Sequence, residues 1–328
     1  MIIQTPSDST FIQTVLGNIS HEALGYCQCH EHIFIAKGKS FEINHSLWMD
    51  DLDASIRELQ LYRKAGGISL VDAQPIGCGR MEDYLVKASQ MTGINIIAST
   101  GFHKLIFYYE DHWIHKLDED SLVDIFTSEL QQGLFVGTDF SIPSQRIGQR
   151  AGIIKCAVDS FGIKGEYVKL FNAAAQASLS TGFPLMCHME KGAEAFKIID
   201  FFAYRGIDPR SVILCHLDRT RYDVRYHKEI AGLGVFLEYD TIARFKYHDN
   251  ETEIRLIAEM VSEGYGDRIL LGLDTTRERL KGYGGDVGLD YILKSFIPML
   301  YEAGISREAI KEITEKNPQR ALRNKKRL

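Results

Sequence analysis

The chain has 328 residues, 45% hydrophobic and 25% charged, and its 38 Lys+Arg against 44 Asp+Glu give a net charge of −6. That is the composition of a folded globular protein with a large core, and its mild acidity carries no footprint for nucleic acid or for an anionic membrane surface. No run is long and apolar enough to span a bilayer, and the opening MIIQTPSDSTFIQ lacks the basic-then-apolar order of a secretory signal.

Taken in chain order, residues 1–25 read as a lead-in, either a small hairpin or a plug for whatever follows. The first apolar run is QCHEHIF, residues 28–34. In a strand, residues i and i+2 share a side, so His30 and His32 point together and Glu31 points away. Two imidazoles on one face suit a metal ion, although an HxH pair alone is as well explained by a turn or a strand edge. Seven more runs follow: SLVDAQP (69–75), NIIASTGF (95–102), GIIKCAV (152–158), PLMCHME (184–190), SVILCHLD (211–218), GVFLEYD (234–240) and RILLGLD (268–274). Each is short and nearly continuously apolar, as parallel strands buried on both faces should be.

Between the runs lie segments of helical periodicity, predicted at 51–65, 165–181, 193–205, 252–263 and 285–303, each followed by a glycine stop. Strand and helix alternate without a linker or low-complexity segment, which predicts one α/β domain over residues 1–328, a (β/α)8 TIM barrel with a short lead-in. An open doubly wound sheet would need a glycine-rich phosphate loop after its first strand, and here that strand runs into HEHIFIAKGKS. Residues 102–120 (FHKLIFYYEDHWIHKLDED) follow the third strand at the face where barrels keep their active sites, and read either as a substrate-covering loop or as packing. His103 at its start is a candidate substrate contact. Cys29, Cys156, Cys187 and Cys215 sit inside apolar runs, which fits reduced thiols in a cytoplasmic protein, and no second cysteine pair completes a zinc knuckle. The basic tail RALRNKKR (320–327) reads as the solvated end of a last helix.

The polar residues within or ending the runs are His30, His32, Lys155, His188, His216 and Asp274. One such histidine is usually a satisfied core residue; four, with an aspartate and a lysine at the strand ends of one barrel, form a constellation that can hold two divalent ions. Lysine is a poor ligand and a costly buried cation. Carboxylated on its N6 nitrogen it becomes an anion able to bridge two metals; the alternative is a Lys155 paired with an acid at the barrel mouth.

With these motifs assembled, the chain resembles the phosphotriesterase family of the amidohydrolase superfamily. The resemblance covers nearly the whole chain: TVLGNISHEALG (14–25), HEH, the lysine of IIKCAV, the histidines of CHME and CHLD, the aspartate of LLGLD, YGG (283–285), IPML (297–300) and KNPQRAL (316–322). It departs at Cys29, where proline is more usual. The resemblance implies two divalent ions, usually zinc, with manganese, cobalt and iron as alternatives. His30, His32 and Asp274 would hold the more buried ion, and His188 and His216 the more exposed one. Carboxylated Lys155 would bridge them, Asp274 would serve as the catalytic proton carrier, and a bridging hydroxide would attack an ester-like centre. A homodimer is a family-level expectation.

Basic residues at the same face narrow the substrate. Arg219 follows the sixth strand, Arg244 and Lys246 the seventh, and Arg277 the eighth. Neutral triesters and greasy lactones have no use for them, whereas a phosphate does. The pattern resembles the branch of the family that opens phosphorylated sugar lactones. Phosphotriester, phosphodiester and carboxylester hydrolysis on the same site are the neighbouring readings, and a non-catalytic binding protein that keeps the fold is the reading from another class.

Overall fold

The computed structural model describes residues 10–220 and 223–325. The lead-in is a hairpin, β1 (Ile12–Thr14) antiparallel to β2 (Gly17–Ile19), as expected for residues 10–25; residues 1–9 lie outside the described part. Eight parallel strands follow: β3 (Cys27–Glu31), β4 (Ser69–Asp72), β5 (Asn95–Gly101), β6 (Ile153–Val158), β7 (Leu185–Met189), β8 (Val212–Cys215), β9 (Phe236–Tyr239) and β10 (Ile269–Leu271). They pair strictly in sequence order, and each lies within one of the eight apolar runs or overlaps it closely. The ladder runs from β3 to β10, and the two ends then meet at a seam where the Asp274 N–H donates to the His30 carbonyl at 3.0 Å. The result is a nearly closed (β/α)8 barrel.

Period-2 alternation sorts each strand between two apolar layers. Cys27, Val71, Ile97, Ile153, Met186, Ile213, Phe236 and Leu270 fill the barrel interior, capped from below by Ile12, Leu24, Ala321 and Leu322. Residues of opposite parity face the helices and join the larger outer core, among them Leu70, Ile96, Ile154 and Leu237. The hairpin is fastened to the barrel floor, where Gln13 Nε2 donates to the Leu130 carbonyl at 2.9 Å and Val15 N–H donates to the Ile96 carbonyl.

The helix expected at 51–65 is Leu52–Ala65, with the Asp51 side chain accepting from Ala54 N–H and Gly66 left-handed at φ +112°. Those expected at 165–181, 193–205 and 252–263 are Glu166–Thr181, Ala195–Tyr204 and Asn250–Ser262. The helix expected to start at 285 does not. Residues 285–290 are held as a loop, with Gly285 N–H bonded back to the Leu280 carbonyl, and regular helix begins beyond them. Helices Glu82–Thr92, Glu119–Gln131 and Val224–Gly232 complete the outer layer. The basic tail also differs from expectation. After the helix Asn317–Leu322 the chain crosses the barrel floor: Asn324 N–H donates to the Phe11 carbonyl and Lys325 Nζ to Ser211 Oγ at 2.9 Å. Residues 326–328 lie outside the described part. Among the described residues, no helix is long and apolar enough to cross a membrane.

Candidate active site

The parity that builds the plug also builds the site above it. Ile153 and Lys155 share an inward face, as do Met186 and His188, and Phe236 and Glu238, so each of these three strands offers an apolar residue below and a polar one above. The first strand reaches the same result differently. A register shift between Gln28 and Glu31 interrupts the alternation, so Cys29 joins the interior plug while His30, next in sequence, meets the polar cluster. Glu31 is thereby freed to accept from Leu273 N–H at 2.9 Å, which stitches β3 to the loop after β10. His32 is fixed at the same seam: its N–H donates to Thr275 Oγ1 at 3.1 Å, and that hydroxyl donates to the His32 carbonyl at 3.0 Å.

All six residues of the constellation converge. His30, His32 and Asp274 bring one donor atom each within 4.8 Å of one another; His32 Nε2 is 3.4 Å and His30 Nε2 3.9 Å from Asp274 Oδ1. Ligands about 2.0–2.1 Å from a tetrahedral ion lie about 3.4 Å apart, so this triangle is a small adjustment from coordination. On the other side His188 Nδ1 and His216 Nε2 share a hydrogen bond of 2.7 Å, shorter than the spacing of two ligands on one ion, so the rings would part slightly to take one. The halves meet where the His30 and His216 rings lie 4.8 Å apart; Lys155 Nζ is 3.1 Å from His30 Nε2 and, among the described residues, it forms no ion pair. A fully buried lysine without an acid disfavours the simple ion-pair reading and suits conversion to an anion. The donor set of imidazoles and carboxylate, with a buried lysine between, fits a pair of divalent ions.

Local backbone supports the same focus. His216 (φ +62°), Ala243 (φ +57°) and Asp274 (φ +47°) are left-handed, each just after a barrel strand. Such geometry costs roughly 1–2 kcal/mol per residue and is retained where a functional arrangement requires it. Electrostatics divides the histidines. Burial lowers His32, lowers His216 strongly and holds His188 down to about 3, so these imidazoles keep their lone pairs at neutral pH. His30 goes the other way: burial and then Lys155 oppose its protonation, yet Glu238 and Asp240 outweigh them and raise it to about 9. Burial opposes ionisation of Asp274, yet Arg244 and then His32 outweigh it and hold the carboxyl well below the usual range.

The basic residues divide into two groups. Arg244 Nη1 lies 3.0 Å and Arg219 Nη1 3.7 Å from Asp274 Oδ2, so both sit beside that carboxylate. The reason is local: Asp218 Oδ2 accepts the Thr241 N–H and hydroxyl, drawing the turn after β8 against the loop after β9 and turning Arg219 inward. Lys246 and Arg277 lie elsewhere. Lys246 Nζ sits 5.0 Å above the Tyr247 ring, and the Arg277 guanidinium lies 4.8 Å from the Trp48 ring and 5.2 Å from that of Tyr283. Beside them is a cavity of about 200 Å³ lined by Arg244, Lys246, Arg279, Thr276 and Glu278. The loop at 102–120 packs on the barrel and also reaches the candidate site. Tyr108, Trp113 and Ile114 enter the core, while His103 packs on Phe107 at 4.3 Å and faces His188 at 5.3 Å.

Two residues were missed. Glu238 Oε2 is 2.8 Å from His30 Nδ1, and Asp240 Oδ1 is 2.6 Å from His216 Nδ1. Their signal was present in GVFLEYD, as two acids at i and i+2 on the parity of Phe236.

The model of the Phosphotriesterase family matches residues 10–322. The chain belongs to the phosphotriesterase family. Within this family it is 31% identical to a phospho-furanose lactonase of Mycoplasmopsis synoviae (strain 53), over 96% of this chain and 92% of that one. Among solved structures of phosphotriesterase-like proteins, an amidohydrolase from Mycoplasma synoviae superposes with a TM-score of 0.92 at 29% identity, covering 98% and 94% of the two chains. A lactonase from Listeria monocytogenes gives 0.88 at 28% identity, covering 96% and 100%. The protein is an ester-hydrolysing enzyme of a metal-dependent family.

Proposed function

We propose that the protein opens the ring of a phosphorylated sugar lactone at a binuclear metal centre. The observation that carries the reading is the convergence of His30, His32, Lys155, His188, His216 and Asp274 at one end of the barrel, with Arg219, Arg244, Lys246 and Arg277 on the adjoining loops. His30, His32 and Asp274 would hold the buried ion, His188 and His216 the exposed one, and N6-carboxylated Lys155 would bridge them. Zinc suits these ligands, as do manganese, cobalt and iron. Bound ions supply a hydroxide nucleophile near neutral pH and polarise the carbonyl oxygen.

The chain's own groups do the rest. Asp274, kept ionised by Arg244 and then His32 against the effect of burial, accepts the nucleophile's proton and returns it to the departing ring oxygen. Arg219 and Arg244 flank that carboxylate and reach the reacting end of the substrate. His103, held neutral by burial, lines the approach beside His188. Lys246 and Arg277 hold the phosphate, so that remote binding energy becomes orientation at the carbonyl. The relative's name, a phospho-furanose lactonase, supports a five-membered sugar ring.

The test is a panel assay of protein loaded with zinc and bicarbonate. Matched lactones with and without phosphate, phosphotriesters, phosphodiesters and carboxylesters are compared by kcat/KM. Phosphorylated lactones should lead; a clear preference for phosphorus centres or for lactones without phosphate would overturn the reading.

A further inference from the structure

β9 and the residue that follows it supply none of the six residues proposed to hold metal, yet they carry two fully buried carboxylates into the centre. Phe236, Glu238 and Asp240 share the inward parity; Phe236 joins the apolar plug and the two acids stand above it. Glu238 Oε2 lies 2.8 Å from His30 Nδ1, and Asp240 Oδ2 lies 3.1 Å from the same nitrogen. Asp240 also grips His216 twice, through Nδ1 at 2.6 Å and through the backbone N–H at 3.1 Å. Among the described residues, no lysine or arginine comes within ion-pair distance of either acid, and Glu238 Oε1 has no hydrogen-bond partner.

Burying a carboxylate without a cation or a full set of donors is costly. Here each acid faces the Nδ1 side of an imidazole whose Nε2 side faces the constellation: His30 Nε2 is 3.1 Å from Lys155 Nζ, and His216 Nε2 is 2.7 Å from His188 Nδ1. A carboxylate that accepts the Nδ1–H fixes the tautomer, leaves the Nε2 lone pair free and makes the ring a better ligand. The two acids do not reach equally far. Glu238 touches a histidine of the buried position alone, whereas Asp240 touches one from each position.

We infer that Glu238 is a positioning residue for the buried ion, acting through His30, and that Asp240 couples the two positions by orienting His216 and His30 together. The inference rests on the two-ion reading above. It assigns β9, a strand without ligands, control over how tightly each ion is held.

The experiment loads the unmodified protein, Glu238→Gln and Asp240→Asn with zinc and bicarbonate. Zinc per chain is then followed against a graded chelator, and melting is recorded with and without zinc. Glu238→Gln should keep one ion as tightly as the unmodified protein and hold the other 10–100-fold more weakly, about the usual effect of losing such a support. Asp240→Asn should weaken both. A purely structural Glu238 would lower the melting temperature of zinc-free protein, whereas a positioning Glu238 lowers only the rise that zinc produces. Glu238→Met is the second variant: it removes the buried charge at similar volume, so the zinc-free fold should be as stable or more so while the buried ion is still lost. Unchanged affinity for both ions in the two Glu238 variants, or equal loss of both, overturns the inference alone. Fewer than two ions in the unmodified protein overturns the two-ion reading and this inference with it.

Discussion

Arg277→Met and Lys246→Met should differ in how much they cost, because the two cations are held differently. The Arg277 guanidinium lies against the rings of Trp48 and Tyr283, its Nη1 donates to the Trp48 carbonyl at 3.3 Å, and the backbone N–H of Arg277 donates to the Ser46 carbonyl. So confined, it loses little freedom on meeting a phosphate and presents a rigid fork. Removing such a charged hydrogen-bonding group costs about 1.5–3 kcal/mol of binding. At about 1.36 kcal/mol per decade, that is roughly a 10–150-fold fall in kcat/KM. Lys246 is exposed above Tyr247 and meets the phosphate as a mobile point charge, so its loss should cost no more than about fivefold. The assay compares kcat/KM on a phosphorylated lactone and on the same lactone without phosphate. Both variants should leave the second substrate within about twofold, since neither residue contacts Asp274. A fall of equal size on the two substrates, or a larger loss for Lys246→Met than for Arg277→Met, refutes the reasoning.

Asp274→Asn should lower kcat on every substrate by about 10²–10⁴-fold, with further loss where zinc content drops, and metal analysis separates the two effects. A strong chelator should abolish activity, and zinc without bicarbonate should restore less than zinc with bicarbonate; equal recovery in carbon-dioxide-free buffer would argue against a carboxylated Lys155. Gly101→Ala would drive a Cβ to within 2.0 Å of the Lys155 carbonyl oxygen from a backbone at φ +93°. Overpacking and strain together predict about 2–4 kcal/mol lost in urea denaturation and reduced zinc content, and a change below about 0.5 kcal/mol would mean that β5 and β6 part easily at the lysine.

Much of this architecture was legible in the sequence because a parallel strand buried on both faces must be apolar throughout, and eight such runs stand out. The residues proposed as ligands stand out for the same reason: His188 in LMCHM or Lys155 in IIKCAV interrupts an otherwise unbroken apolar run. What escaped reading depends on partners distant in sequence. Glu238 and Asp240 look like the polar end of a strand until the rings of His30 and His216 stand beside them. The approach of Arg219 to Asp274 was not legible, because nothing in CHLDR reports that Asp218 will grip Thr241 and draw the two turns together. The buried pair of Arg80 and Glu129, at 2.6 Å, is likewise invisible in either local sequence. The helix predicted from 285 failed on backbone detail, since Gly288 adopts φ +70° and the preceding turn folds back on Leu280 and Arg279.

The seam where the barrel closes has a consequence for the order of events in the cell. His32 and Thr275, which lock the seam, stand 243 positions apart in the chain. Gly272 lets the last strand come so close that a Cβ there would lie 3.0 Å from that of His30. A nascent chain therefore exposes His30 and His32 long before Asp274 has been synthesised. On the two-ion reading proposed above, the buried position would be completed only when the final strand docks, and an ion captured there would clasp the first strand to the last. Ribosome-stalled chains ending before β10 should hold zinc weakly, and release should turn on tight binding within the time the last strand takes to seat.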